Sequence, residues 1–127
     1  MNFFDTHTKV VNMSVYEPKI IEKPWGRELL LSHEKEYAGK ILEVKKGERL
    51  SLQFHEVKKE SMYVLEGKML LVLGEESFEV SEGQAVTILS GTKHRIEALT
   101  DIKVIEFSTP ELDDIVRIED DYGRVYD

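Results

Sequence analysis

Four side chains able to hold a cation fall in two short stretches of this chain. In GERLSLQFHEVKKESMYVLEG, Gly47 to Gly67, Gln53 and His55 stand two residues apart and Glu60 follows five later. His94 comes about forty residues further on, in GTKHRIEA. An amide, a carboxylate and two imidazoles offer nitrogen and oxygen ligands suited to a divalent transition metal. Zinc is the first expectation, with manganese, iron and nickel also compatible, and one or two positions would stay open for water or substrate oxygens. The alternative is a set of polar residues lining a barrel mouth with no ion. Burying two histidines with a carboxylate is costly unless they are paired or metal-bound, which favours the ion.

A strand over Leu50 to His55 would place Ser51, Gln53 and His55 on one face and Leu50, Leu52 and Phe54 on the other. That apolar face needs cover from the second sheet's edge or from another subunit, which predicts a homodimer. From Arg27 onward the chain reads as about nine short strands broken by turns, with no internal helix, so the expected class is all-β, a sandwich or barrel. Glu66-Gly67 reads as a tight hairpin turn. Pro24-Trp25-Gly26 makes a corner in which Trp25 serves as an anchor. Residues 1–20 read as an N-terminal arm before a single domain over 21–127. The segment ELDDIVRIEDDYGR after Pro110 suits a short outer helix or turn.

At 127 residues the chain can bury a core without staples, and it has no cysteine, which removes disulfides, thiolate metal sites and a cysteine nucleophile. The lack of disulfides and of a signal-peptide pattern fits a cytoplasmic protein. No apolar run approaches the roughly 20 residues of a membrane helix. With 17 basic and 25 acidic residues the net charge is −8, which argues against nonspecific nucleic-acid binding. A small anion can still be held by a few cations inside a pocket. Lys40, Lys58, Arg95, Arg117 and Arg124 are the candidates. Arg95 follows His94, although adjacency on a strand turns it to the other face unless a bulge intervenes. Arg117, Tyr122 and Arg124 lie in the tail, which could fold over the barrel mouth.

Gly47, Gln53, His55, Glu60 and Gly67 resemble the first cupin motif with Gln in place of its first His. Gly83, Gly91 and His94 resemble the second, with Leu89 for its Pro and Ala98 for its Asn. More narrowly, the Pro24-Trp25-Gly26 corner, the Leu50-Ser51-x-Gln53-x-His55 run, the His94-Arg95 pair and the segment Asp113 to Arg124 resemble the C-terminal cupin domain of type II mannose-6-phosphate isomerases. That domain is often fused to a mannose-1-phosphate guanylyltransferase. The resemblance spans residues 20–124. It implies a cupin double-stranded β-helix, or jelly-roll barrel, with Gln53, His55, Glu60 and His94 on a metal. It also implies a sugar phosphate as ligand; the candidates near the chemistry are then Lys40, Lys58 and Arg95, and those near substrate Ser51, Arg117, Tyr122 and Arg124. The expected reaction is aldose–ketose isomerisation, with Lys40 or a metal-bound water as base. The chain departs from the family pattern at Lys58, which stands where the family has an arginine, and at Ser61, where it has a histidine. Those departures support a second reading, a non-catalytic sugar or sugar-phosphate binding cupin accessory to polysaccharide synthesis. An iron-dependent dioxygenase is a third.

Overall fold

The computed structural model describes residues 13–124. They form eleven strands and no helix: β1 Lys19–Lys23, β2 Gly26–His33, β3 Ala38–Val44, β4 Leu52–Phe54, β5 Glu60–Glu66, β6 Lys68–Leu73, β7 Glu76–Ser81, β8 Ala85–Ile88, β9 His94–Ala98, β10 Ile102–Ser108 and β11 Val116–Glu119. Two antiparallel sheets face each other, with orders β1-β2-β3-β10-β5-β8 and β11-β4-β9-β6-β7. This is the all-β cupin barrel that the alternating pattern and the motifs predict.

The core follows from strand alternation, which sends every second side chain inward. Leu42 and Val44 of β3, Met62 and Val64 of β5, Met69 and Leu71 of β6, Ile96 of β9 and Val104 of β10 are all buried. Three strands interrupt that apolar series with an inward charge at one end: Lys40 on β3, Glu60 on β5 and Glu106 on β10. One end of the barrel is therefore packed solid, and the other is hollow and polar.

Three expectations change. The tail forms no helix among the described residues; Val116–Glu119 is a strand that pairs with β4, matching Val116 to Phe54 and Arg117 to Gln53. The short charged segment reads as helix by composition, but β4 offers it an unpaired edge. Glu66-Gly67 is not a hairpin turn, because β5 and β6 lie in different sheets. It is the corner where the chain crosses between them. Finally, Leu50 packs against the core, while Leu52 and Phe54 are half-buried on a strand that gains β11 from its own chain as a neighbour. The apolar side of this stretch therefore does not need a second subunit for cover.

β1 begins at Lys19, within the stretch read as an arm; residues 1–12 lie outside the described residues. β1 and β2 join through Pro24-Trp25, with Lys23 paired to Gly26. Trp25 is 3% exposed and is part of the core, so it acts as an anchor. Gly26 has φ +152°, and a Cβ there would lie 2.0 Å from the Glu43 carbonyl oxygen. At the β5–β6 corner, Gly67 has φ +86°, and its Cβ would lie 2.3 Å from the Asp101 carbonyl oxygen. Both positions combine a backbone that favours glycine with a contact to main chain that cannot swing away. Gly67→Ala is expected to lower unfolding free energy by at least about 2 kcal/mol, measured by urea unfolding; an unchanged midpoint would show that the corner relaxes freely.

A candidate metal centre at the polar end of the barrel

His55 follows β4, Glu60 opens β5 and His94 opens β9, so three strand ends from both sheets meet at one point. Glu60 Oε1 lies 2.9 Å from His94 Nε2 and 3.5 Å from His55 Nε2. Ligand atoms of the three residues lie within 4.8 Å of one another, and all three residues are buried. Gln53 is buried too, in register between His94 on β9 and Arg117 on β11. It lines the same cavity as the three, as does Ser51.

Each imidazole is held from behind. His55 Nδ1 lies 2.5 Å from the Asp114 carbonyl oxygen, and His94 Nδ1 lies 2.8 Å from that of Thr92. A carbonyl only accepts, so each Nδ1 carries the proton, and a neutral ring turns the lone pair of Nε2 toward Glu60. Both Glu60 oxygens are buried, and neither receives a properly directed hydrogen bond. The rings are close enough to donate, but only as imidazolium ions. Two lone pairs and a carboxylate only partly offset by Lys58, aimed at one point, are a donor set suited to a divalent cation, and Gln53 can add a neutral oxygen. These residues fit the expected metal; their donor types alone do not choose among zinc, manganese, iron and nickel.

Lys58 Nζ stands 3.2 Å from Glu60 Oε2 and 3.3 Å from Glu106 Oε2. Lys40 Nζ lies 3.5 Å from the same Glu106 oxygen and 3.0 Å from Glu28 Oε1. Burial pushes the Glu60 carboxyl up, but proton donation from the His55 and His94 rings, open to them only as imidazolium ions, and the Lys58 ammonium pull it further down, well below the ordinary carboxylate range. Burial, then the neighbouring Glu60 charge, push Glu106 up against the pull of Lys40 and Lys58. Burial pushes the Lys40 ammonium down, but Glu106 and Glu28 outweigh it and the net shift is upward. Lys40 is thus held as a cation between two carboxylates.

The cavity has a volume of about 280 Å³. Its lining includes Lys23, Lys40, Lys58, Arg117 and Arg124 against Glu28, Glu60, Glu106 and Asp113: five cations to four carboxylates in a chain of net charge −8. Two expected residues are elsewhere. Arg95 turns to the other face, where its Nε donates to the Leu50 carbonyl at 2.8 Å and its guanidinium meets Glu119 and Asp121. It ties β9 to β11 and does not line the cavity. Tyr122 packs on the core and donates its hydroxyl to Glu48; burial, then Glu48, push its pKa up to about 12. Arg117 and Arg124 do reach the cavity, and Arg124 is bonded to Asp120.

Glu28 and Glu106 also line the cavity. Glu106 was legible in IKVIEFS, where Ile102 and Val104 set the inward phase and the next inward position is a carboxylate. Glu28 has no such signal, since every residue of β2 but the last is half-buried and no inward phase stands out.

The family model for the mannose-6-phosphate isomerase C-terminal domain matches residues 11–120. The chain belongs to this family. Relatives include the mannose-1-phosphate guanylyltransferase RfbM of Salmonella typhimurium, 32% identical over 106 residues, covering 80% of this chain and 22% of that protein. The xanthan biosynthesis protein XanB of Xanthomonas campestris is 33% identical over 109 residues, 82% of this chain and 23% of that one. The chain thus spans less than a quarter of the length of these two relatives. Among solved structures, an RmlC-like cupin from Shewanella frigidimarina superposes with a TM-score of 0.70 at 17% identity, covering 75% of this chain and 86% of the other. That likeness speaks for the cupin fold alone.

In this family member the polar end of the barrel depends on Asp114. Its carboxylate accepts the backbone N–H groups of Glu56, Val57 and Lys58 at 2.7–2.9 Å, while its carbonyl holds His55. Those three N–H bonds, led by that from Lys58, lower its pKa to about 2. A carboxyl depressed from an ordinary value of about 3.9 stabilises the fold fully above that value, and the contribution is lost as pH falls through the folded-state value. Wild type should therefore resist urea better than Asp114→Asn at pH 7, with the difference shrinking from about pH 4 down to about pH 2. A difference independent of pH would contradict this role.

Proposed function

We propose that the cavity binds a sugar phosphate and interconverts its aldose and ketose forms with a divalent metal, as expected of a mannose-6-phosphate isomerase. The observation that carries this reading is the Glu60 carboxylate between two histidines without a directed hydrogen bond, in a cavity wall that also carries five cations. A divalent ion held by His55, Glu60, His94 and Gln53 would supply positive charge for a sugar carbonyl and for the oxyanion that develops from it.

The chain's own side chains would do the rest. Arg117, whose Nε is buried without a hydrogen-bond partner, and Arg124 lie on the tail that borders the cavity, where a phosphate would bind. Lys40, held protonated, would donate to a sugar oxygen. Glu106 would take the proton from C2 and return it to C1, while a hydroxyl proton passes from O2 to O1. Carbon and oxygen protons then balance with no outside oxidant. Lys58 would keep Glu60 and Glu106 from repelling each other, since its ammonium lies between them.

The second reading is a binding module without turnover. It is favoured by Lys58 itself, which stands where the family has an arginine and whose charge is already taken up by two carboxylates. The test is fructose-6-phosphate formation from mannose-6-phosphate with zinc, manganese, iron or nickel supplied. Isomerase action predicts turnover with at least one metal, and a loss of about 100-fold or more in kcat for Glu106→Gln. Arg117→Ala should act mainly on KM, raising it about tenfold. No turnover with any metal, together with calorimetric binding of the sugar phosphate, would overturn the isomerase reading in favour of the module.

A further inference from the structure

The outer face of the six-stranded sheet carries an apolar row that crosses five strands in register. Ile20 pairs with Leu29, Leu29 with Ile41, Ile41 with Ile105, and Ile105 with Tyr63. Ile20 and Tyr63 are exposed, at 54% and 37%. Phe107, half exposed, stands one step along β10, opposite Gly39 on β3. On the other side of the row runs a line of alternating charge: Glu22, Arg27, Glu43, Lys103 and Glu66, each paired in register with the next. Two of these contacts are ion pairs, Arg27–Glu43 at 2.9 Å and Lys103–Glu66 at 4.0 Å.

A face of this kind can be tested for self-complementarity. A two-fold axis along the strands, between β3 and β10, turns the sheet onto a copy of itself. It sets β3 against β10 of the other copy, and β2 against β5. Glu43 then faces Lys103, and Arg27 faces Glu66. Phe107 stands over Gly39, a bulky ring over a residue with no side chain. Charge and shape are complementary at each of these positions, within the angle of about 30° usual for aligned sheets. Six strands at about 4.8 Å give a face roughly 29 Å wide, and strands of six residues give it a depth of about 20 Å. That is on the order of 600 Å² before side-chain relief, near the 800 Å² each partner buries in a standard interface.

We propose that this face docks a second copy of the chain, forming a two-fold homodimer. The homodimer expected from Leu50, Leu52 and Phe54 thus moves to the opposite sheet. The cavity lies on the inner side of the same sheet, and its β1 residues Ile21 and Lys23 point away from the interface. The proposal therefore stands independently of the metal and of any reaction.

Sedimentation velocity from ~1 to ~100 μM tests it directly, spanning the weak-to-moderate affinities of interfaces this size. The dimer predicts twice the chain mass for wild type. Gly39→Val suits the fold, since the nearest atom to an added Cβ is the Glu106 carbonyl oxygen at 4.0 Å, yet it fills the hollow under Phe107 of the other copy. It should weaken association at least tenfold with circular dichroism unchanged. Glu43→Lys or Lys103→Glu alone should weaken association by a similar factor, and the double reversal should restore it. A monomeric wild type would overturn the proposal and leave the face to residues 1–12 or to a different protein. So would a dimer that Gly39→Val and Glu43→Lys leave intact.

Discussion

The polar end of this barrel depends on one carboxylate. Glu60 is buried at the start of β5 with two imidazole nitrogens within 3.5 Å, and neither of its oxygens receives a directed proton. Removing a carboxylate from water costs several kcal/mol, and a nearby charge offsets that only with good geometry. Lys58 offsets part of it from one side. On the other side the two rings offer lone pairs, because their protons are committed to backbone carbonyls. A cation at that point satisfies all three residues at once.

The surrounding structure serves to keep that arrangement in place. The carbonyls of Asp114 and Thr92 set the tautomers, and the Asp114 carboxylate fixes the loop that carries Lys58. Lys40 and Lys58 bracket Glu106, so the buried carboxylates and ammonium groups alternate. Pairing of this kind makes an ionic interior tolerable and also orients each group. β11 adds Arg117 beside Gln53, which brings the tail's cations to the cavity.

The fold and the clustering of His55, Glu60 and His94 were legible in the sequence because both are written in local patterns. Alternation in LSLQFH set Ser51, Gln53 and His55 on one face, and those three residues do share the cavity. What it hid was long-range. β11 is a strand only because β4 has a free edge, a fact no local reading of DDIVRIEDD contains. The β5–β6 corner resembles a hairpin because a glycine after a strand looks alike whether the chain turns back or crosses to another sheet. Arg95 adjoins a histidine in sequence and lies on the opposite face in space, as strand geometry requires. The phase of IKVIEFS turns Glu106 inward, but its role depends on Lys40 and Lys58, which only the fold brings to it.

The most direct test of the central claim is the metal stoichiometry of the purified chain and of Glu60→Gln, by elemental analysis and calorimetric titration. A cation site predicts about one divalent ion per chain in wild type, with affinity in Glu60→Gln falling beyond the ~100-fold reached by changes behind the ligands. Wild type that binds no divalent ion, or a Glu60→Gln variant that binds it equally well, would contradict the account.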